Sequence, residues 1–286
     1  MNYEKIKDNI QSELRSYIKA NKLSSLVLGV SGGMDSALVA ALARPVCDEL
    51  GIRLIGRSLP ISSNKQEELD RANAIGAAFC HDYKEESLAK YFNLMSSEIN
   101  KDPGVDTKSW QIRNGNIKAR LRMIYLYNLA SSNKGIVLST DNYSEYLLGF
   151  WTLHGDVGDY GMIQELWKTE VYDLGAWMVS NELKNEKERS ALKSCIICNA
   201  TDGLGITNSD LDQLMPGWQG SSRDGYRAVD AILKVWTTLH KLEPTQKTLV
   251  AQAYENNPVV ERHLRTEFKR ENPFNLKRST ILKDAE

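Results

Sequence analysis

The chain reads as an α/β protein: a doubly wound, mostly parallel sheet with helices on both faces, followed by a helical C-terminal portion. Three observations predict it. Short apolar runs at 26–30, 52–59 and 135–140 suit buried strands and alternate with segments of helical periodicity. Two of these runs end in polar turns, SGGMDS and TDNYSE, and ligands of parallel sheets collect at such carboxyl ends. Beyond residue 165 the strand signals fade and helical patterns continue.

In chain order, segment 3–20 sets Tyr3, Ile6, Ile10, Leu14 and Ile18 on one side of a helix. The strand at 26–30 turns through Ser-Gly-Gly into a helix rich in Ala and Leu. A second strand at 52–59 leads to the polar turn SSNK and a charged helix over 66–77. A third short strand is expected at 78–81 and a helix at 85–99. KDPGVDTKSW carries the Pro/Gly punctuation of a loop, and the long helix after it turns Ile117, Leu121, Ile124 and Leu129 inward. ITNSDLDQL, the segment 228–239 and TQKTLVAQAYENNPVVERHLRTEF read as helices; the terminal NPFNLKRSTILKDAE frays, with Lys277 and Arg278 within reach of the body. One domain over 1–286 is expected, with an α/β core at about 20–180 and a helical extension at about 185–275.

With 36 basic and 37 acidic side chains the net charge is −1, so the basic excess that grips a long polyanion is missing and nucleic acid is not expected as a partner. No apolar run approaches the roughly 20 residues of a membrane span, and the charged N-terminus is unlike a signal peptide. Four cysteines in 286 residues make no disulfide framework and suit a reducing cytoplasm.

The chemistry begins at LVLGVSGGMDS. A glycine pair after a strand lets the backbone approach a ligand, and N–H groups feeding a helix start cradle an anion. Walker A requires Lys before its last Ser/Thr, where Asp35 stands here, and G-x-G-x-x-G is absent. An acid inside a phosphate cradle asks for a divalent cation between them.

Strand–SGGxDS–helix resembles the pyrophosphate loop of the ATP pyrophosphatases. GNIKARLRMIYLY, LSTDNYSEYLLGFWTLHGD, LWKTEVYDLG and FKRENP, in this order, resemble the ammonia-dependent NAD synthetases of that superfamily. The resemblance implies a ligase that adenylylates the carboxylate of deamido-NAD with ATP, releases pyrophosphate, and lets ammonia displace AMP. It assigns the phosphates to Gly29, Val30, Ser31, Gly32, Gly33, Met34, Asp35 and Ser36, with Thr140 and Thr201 also at ATP. Asp35 and Glu145 would hold Mg²⁺, Lys168 would neutralise phosphate charge beside Asp35 in catalysis, and Arg120, Asp159 and Lys269 would bind deamido-NAD. On a helix Arg120 and Arg122 point roughly 200° apart, so only one meets the ligand; the resemblance favours Arg120. It also implies a homodimer, with the helix holding Tyr125 and Tyr127 at its interface, and direct use of ammonia, since the chain begins about 25 residues before the loop.

The chain departs from the family pattern in places. Leu153 replaces a lysine expected at the dinucleotide, with His154 beside it, and Phe268 replaces a histidine before Lys269 and Arg270. Cys195 and Cys198 form a C-x-x-C, which leaves a tRNA-thiolating enzyme as one alternative; a non-catalytic nucleotide-binding module is the other.

Overall fold

In this computed structural model residues 1–61, 64–100, 107–200 and 209–283 are described. Helix α1 (Tyr3–Asn21) precedes β1 (Ser25–Gly29), α2 (Met34–Leu50), β2 (Arg53–Ser58), α3 (Gln66–Phe79), β3 (Asp82–Glu85), α4 (Ala89–Ile99), α5 (Thr107–Ser132) and β4 (Gly135–Ser139). Then come α6 (Tyr143–Leu148), the two-residue strand β5 (Tyr160–Gly161), α7 (Lys168–Trp177) and α8 (Glu186–Ile196). Short α9 (Leu211–Leu214), α10 (Ser222–Thr237), α11 (Pro244–Ala253) and α12 (Pro258–Arg265) complete the described helical portion, apart from a π-helical turn at Met178–Glu182, a 3₁₀ turn at Leu239–Lys241 and single turns near the end.

Among the described residues five strands form one parallel sheet in the order β3-β2-β1-β4-β5. Side chains alternate across it. Leu26 and Leu28 of β1, Leu54 of β2 and Leu138 of β4 face a core built with α1, α2, α3, α7 and α8. Val27, Ile55 and Val137 face the other way, against Leu126 and Ala130 of α5. This is the expected doubly wound architecture. A separate apolar cluster joins Leu147 and Leu148 of α6 to Tyr226, Val229 and Leu233 of α10 and Val259 of α12. Strand order reverses between β1 and β4, and a crevice opens above that switch point.

Several expectations need correction. The third strand lies at 82–85, not 78–81: Ala78 and Phe79 close α3, where Phe79 buries its ring, and the strand itself is the polar edge DYKE. Ile124 is 56% exposed, because the inward stripe of α5 runs through Asn114, Ala119 and Ala130. Tyr125 and Tyr127 are half-buried against the apolar clusters beneath α5, so the exposed apolar side chains of that helix are others, Ile112 and Ile124 among them. The segment 245–268 breaks into α11 and α12 at Asn256, whose φ is 61°, with Pro258 starting the second helix and Asn257 capping it.

Candidate active site

The turn after β1 is knit by its own serines. Ser31 Oγ and Ser36 Oγ lie 2.9 Å apart, the Gly33 N–H donates to Ser31 Oγ at 3.2 Å, and Ser36 Oγ donates to the Gly33 carbonyl at 3.3 Å. Ser36 is buried beneath the loop, so it shapes the cradle instead of lining it. Gly32 has φ 79°, and a Cβ there would lie 2.2 Å from the Glu68 carbonyl oxygen. Only glycine fits. The Gly32 carbonyl accepts from Arg71 Nε at 2.9 Å and from the Cys195 thiol at 3.5 Å, so α3 and α8 both grip the loop.

The end of β4 is held in register with this turn. Asn142 caps α6 by accepting from the Glu145 N–H at 3.0 Å, and its Nδ2 donates to Asp35 Oδ1 at 2.8 Å. Two carboxylates from different strand ends thus converge. Lys168, the first residue of α7, reaches between them: Nζ donates to Asp35 Oδ2 at 2.5 Å and to Glu145 Oε1 at 2.8 Å. The lysine side chain is 3% exposed, and the two acids 17% and 15%. Burial works to lower the Lys168 ammonium, but Asp35 and Glu145 overcome it and hold the group well above its ordinary range. Burial and the Asp35 charge push the Glu145 carboxyl up, with Lys168 opposing them.

Above this triad lies a cavity of about 290 Å³. Its polar floor is Gly29 to Asp35 with Thr140, Glu145 and Lys168; its far end is apolar, lined by Leu59, Pro60, Met123 and Leu126. A second cavity of about 520 Å³ shares Met123, Tyr127, Asp141 and Val157 with the first, and its outer wall includes Tyr146, Trp151, His154, Lys269 and Arg270. Asp141 stands on the wall common to both. Burial, reinforced by the Asp156 charge, pushes its carboxyl up to about 7 against a hydrogen bond from Ser139 Oγ at 2.9 Å.

The remaining expected residues separate. Arg120 is exposed on the outer face of α5, donating to the Leu153 carbonyl at 3.3 and 3.2 Å, and it lines neither cavity. Arg122 lines the first cavity, with Nε donating to the Leu59 carbonyl at 3.0 Å. The helical offset separates the two arginines as expected, but within the protomer it is Arg122 that faces inward. Asp159 is not at either cavity: Oδ2 accepts from the Val137 N–H at 2.9 Å and so finishes the edge of β4. Asp156 lines the first cavity in its place. Lys269 lines the second cavity, with Nζ donating to the Gly149 carbonyl at 2.7 Å and to that of Trp151. Thr201 falls outside the described residues.

Sequence reading missed Asn142, Asp141, Arg71 and Arg57. The Asn-x-x-Glu spacing at 142–145 was a legible capping signal. Arg57 carried none: it is buried on the cavity wall, paired to Asp82 at 3.0 Å, with Nε lacking a partner among the described residues. Cys195 is fully buried and Cys198 half-buried, and burial pushes both thiols up, Cys195 to about 12. Burial thus disfavours the thiolate form of both, although Cys198 lines the first cavity, and among the described residues no cluster of three or more metal-binding side chains surrounds them.

The profile of the NAD synthase family matches residues 6–273. The chain belongs to that family. The NH(3)-dependent NAD(+) synthetase of Thermococcus sibiricus is 32% identical over 241 residues, covering 82% of this chain and 84% of its own. Two solved structures share the fold. NMN synthetase from Francisella tularensis superposes with a TM-score of 0.74 at 22% identity, covering 97% of this chain and 99% of its own. NH3-dependent NAD synthetase from Campylobacter jejuni gives 0.66 at 23% identity, covering 97% and 100%. As a family member the chain is a ligase that forms a C–N bond, and the tRNA-thiolating alternative is not favoured. No helix among the described residues is long and apolar enough to cross a membrane.

Proposed function

We propose that the paired cavities carry out ATP-dependent amidation of deamido-NAD to NAD, with adenine at Leu59 and Pro60, phosphates over the Ser31–Asp35 turn, and the nicotinate carboxylate arriving from the second cavity. The observation that carries this reading is Lys168 clamped between Asp35 and Glu145 on the cavity floor. A carboxylate oxygen of the acid attacks the α-phosphorus of ATP, and the bond to the bridging α,β-oxygen breaks as pyrophosphate leaves. Ammonia then attacks the acyl carbon and AMP departs. Charge accumulates on phosphate oxygens, so the preorganised Lys168 ammonium and the N–H groups opening α2 supply the main stabilisation.

The donor set also fits magnesium, which takes one or two carboxylates together with phosphate oxygens. Asp35 and Glu145 would hold it, and the ion would neutralise the departing pyrophosphate. The buried Arg57 Nε offers a donor to the nucleotide at the same wall. Asp141 sits where the two cavities meet, and a carboxyl titrating near neutrality suits the proton that ammonia must shed. In a homodimer, exposed Tyr91, Leu94, Trp110 and Ile124 of α4 and α5 are the apolar side chains to cover, and Arg120 would reach the dinucleotide from that face. Sedimentation as a monomer at working concentration would contradict the dimer. Four free thiols fit a cytoplasmic setting.

A second reading concerns the acid. Leu153 stands where a lysine was expected at the dinucleotide, and Arg120 is turned to its carbonyl. That combination favours testing a smaller acid, nicotinate mononucleotide, whose amidated product is NMN. Purified protein with ATP, Mg²⁺, ammonium and either acid should release pyrophosphate and amide in equal amounts, lost in Asp35→Asn. Glutamine in place of ammonium should support no turnover. Pyrophosphate release that ignores both acids would reject the assignment.

A further inference from the structure

We propose that Asp230, on α10 in the helical portion, is the positioning residue that aims Lys168 and Glu145 at the departing pyrophosphate; the proposal rests on the reading of the cavity given above. Helix α7 begins at Lys168, and the residue before it is Trp167, whose indole has no oxygen to accept from the first-turn N–H groups. Asp230 supplies that acceptor from a helix some 60 residues later, the separation in sequence being 61 from Thr169. Its Oδ2 accepts from the Thr169 N–H at 2.9 Å and from Thr169 Oγ1 at 2.8 Å. Its Oδ1 accepts from Ser144 Oγ at 2.5 Å, and Ser144 Oγ in turn accepts from the Lys168 N–H at 2.9 Å.

Ser144 is the neighbour of Glu145. One carboxylate, 1% exposed, therefore ties the start of α6 to the start of α7, and the gap it sets is the one that Lys168 Nζ spans to Glu145. Packing alone gives no reason for an acid here. Position 230 lies beside the apolar stripe of Tyr226, Val229 and Leu233, and a buried carboxylate is costly unless its oxygens are satisfied. The three donors that satisfy it all come from the two helix starts that present the reacting groups.

The test is steady-state kinetics on the full chain with ATP, Mg²⁺, ammonium and the better acid. Asp230→Asn should lower kcat about 100-fold, as expected for a group displaced by about an ångström, while KM for ATP stays within about threefold. Ser144→Ala, which leaves Asp230 in place, should lower kcat about tenfold, and the double variant should fall well short of the product of the two losses. Val229→Ala removes packing from the same helix; with stability reduced, its kcat per folded molecule should stay within about threefold. Asp230→Asn and Ser144→Ala both within about threefold of the parent, or Val229→Ala losing kcat as heavily, would overturn the proposal. If Asp230→Asn does not fold, Ser144→Ala and Val229→Ala decide it alone. Amide exchange covers the case in which the parent makes no amide and the functional reading itself fails. The Lys168 and Thr169 N–H groups should be protected in the parent and released in Ser144→Ala at Lys168; unprotected amides in the parent would refute the anchoring.

Discussion

Two halves of the molecule treat buried charge differently. The strand-end half gathers Asp35, Asp141, Glu145 and Lys168 around open space, where Lys168 pairs with Asp35 and Glu145 and Asp141 is met among the described residues by a single hydroxyl. The helical half buries Asp230 within an apolar cluster and saturates it with three donors. Even Tyr226 is tied down, donating to Asp210 at 3.0 Å. Groups left short of partners are those a ligand can complete; groups fully bonded can only hold something else in place. The first half therefore displays chemistry, and the second fixes its geometry.

Lys168→Ala should break this contrast most severely. It removes the cation from between two carboxylates and leaves a like-charged pair on the cavity floor. Turnover is expected to fall about 1,000-fold, measured as pyrophosphate released per folded molecule, because transition-state charge on phosphate loses its nearest cation. A loss under tenfold would move the chemistry away from the strand ends. Stability should fall as well, by about 3 kcal/mol, since an uncompensated buried charge is costly.

The pair Asp141 and Asp230 sharpens the contrast through pH. Burial raises both carboxyls, yet Asp141 has one hydroxyl donor and is pushed up to about 7, whereas the donors on Asp230 work against its rise. As pH climbs above the unfolded value near 4, the unfolded chain gives up the Asp141 proton and the folded chain keeps it, so more protons are bound in the native state. Stability from this group is complete below pH 4 and is lost as pH rises through 7, by about 2–4 kcal/mol in all. Asp141→Asn should flatten that part of the pH–stability curve and so gain on the parent between pH 5 and 8 in urea titrations. An unchanged slope would mean that Asp141 is already ionised at neutrality.

Much of the strand-end half was legible in sequence because Asp35 and Glu145 each follow a strand end by six residues. SGGMDS announces its turn, and TDNYSE announces its cap. What stayed hidden depends on distance in sequence. Asp230 meets Ser144 across 86 residues, and Asp159 meets Val137 through a strand of two residues too short to show periodicity. The two arginines show the limit inside one helix. Spacing said that Arg120 and Arg122 diverge, but which one faces the cavity depends on the rotation of α5 about its axis, set by Leu126 and Ala130 against the sheet. The edge strand DYKE was expected at 78–81 instead of 82–85 because its pairing with β2 buries backbone and little side chain.

The smallest effect compares two glycines, one in each half, that share a left-handed backbone. Gly32 has φ 79° and Gly217 has φ 85°, so alanine at either site meets the same conformational penalty of about 1–2 kcal/mol. Gly32 faces a wall: the added Cβ would stand 2.2 Å from the Glu68 carbonyl oxygen, while among the described residues nothing lies within 4 Å at Gly217. Backbone cannot swing aside as a side chain can. Thermal unfolding should therefore show Gly32→Ala less stable than Gly217→Ala by about 1–3 kcal/mol, the range of an overpacked site. Equal losses would mean that the α3 backbone yields to the loop, and the cradle after β1 would then owe its shape to glycine's torsional freedom alone rather than to the close approach of α3.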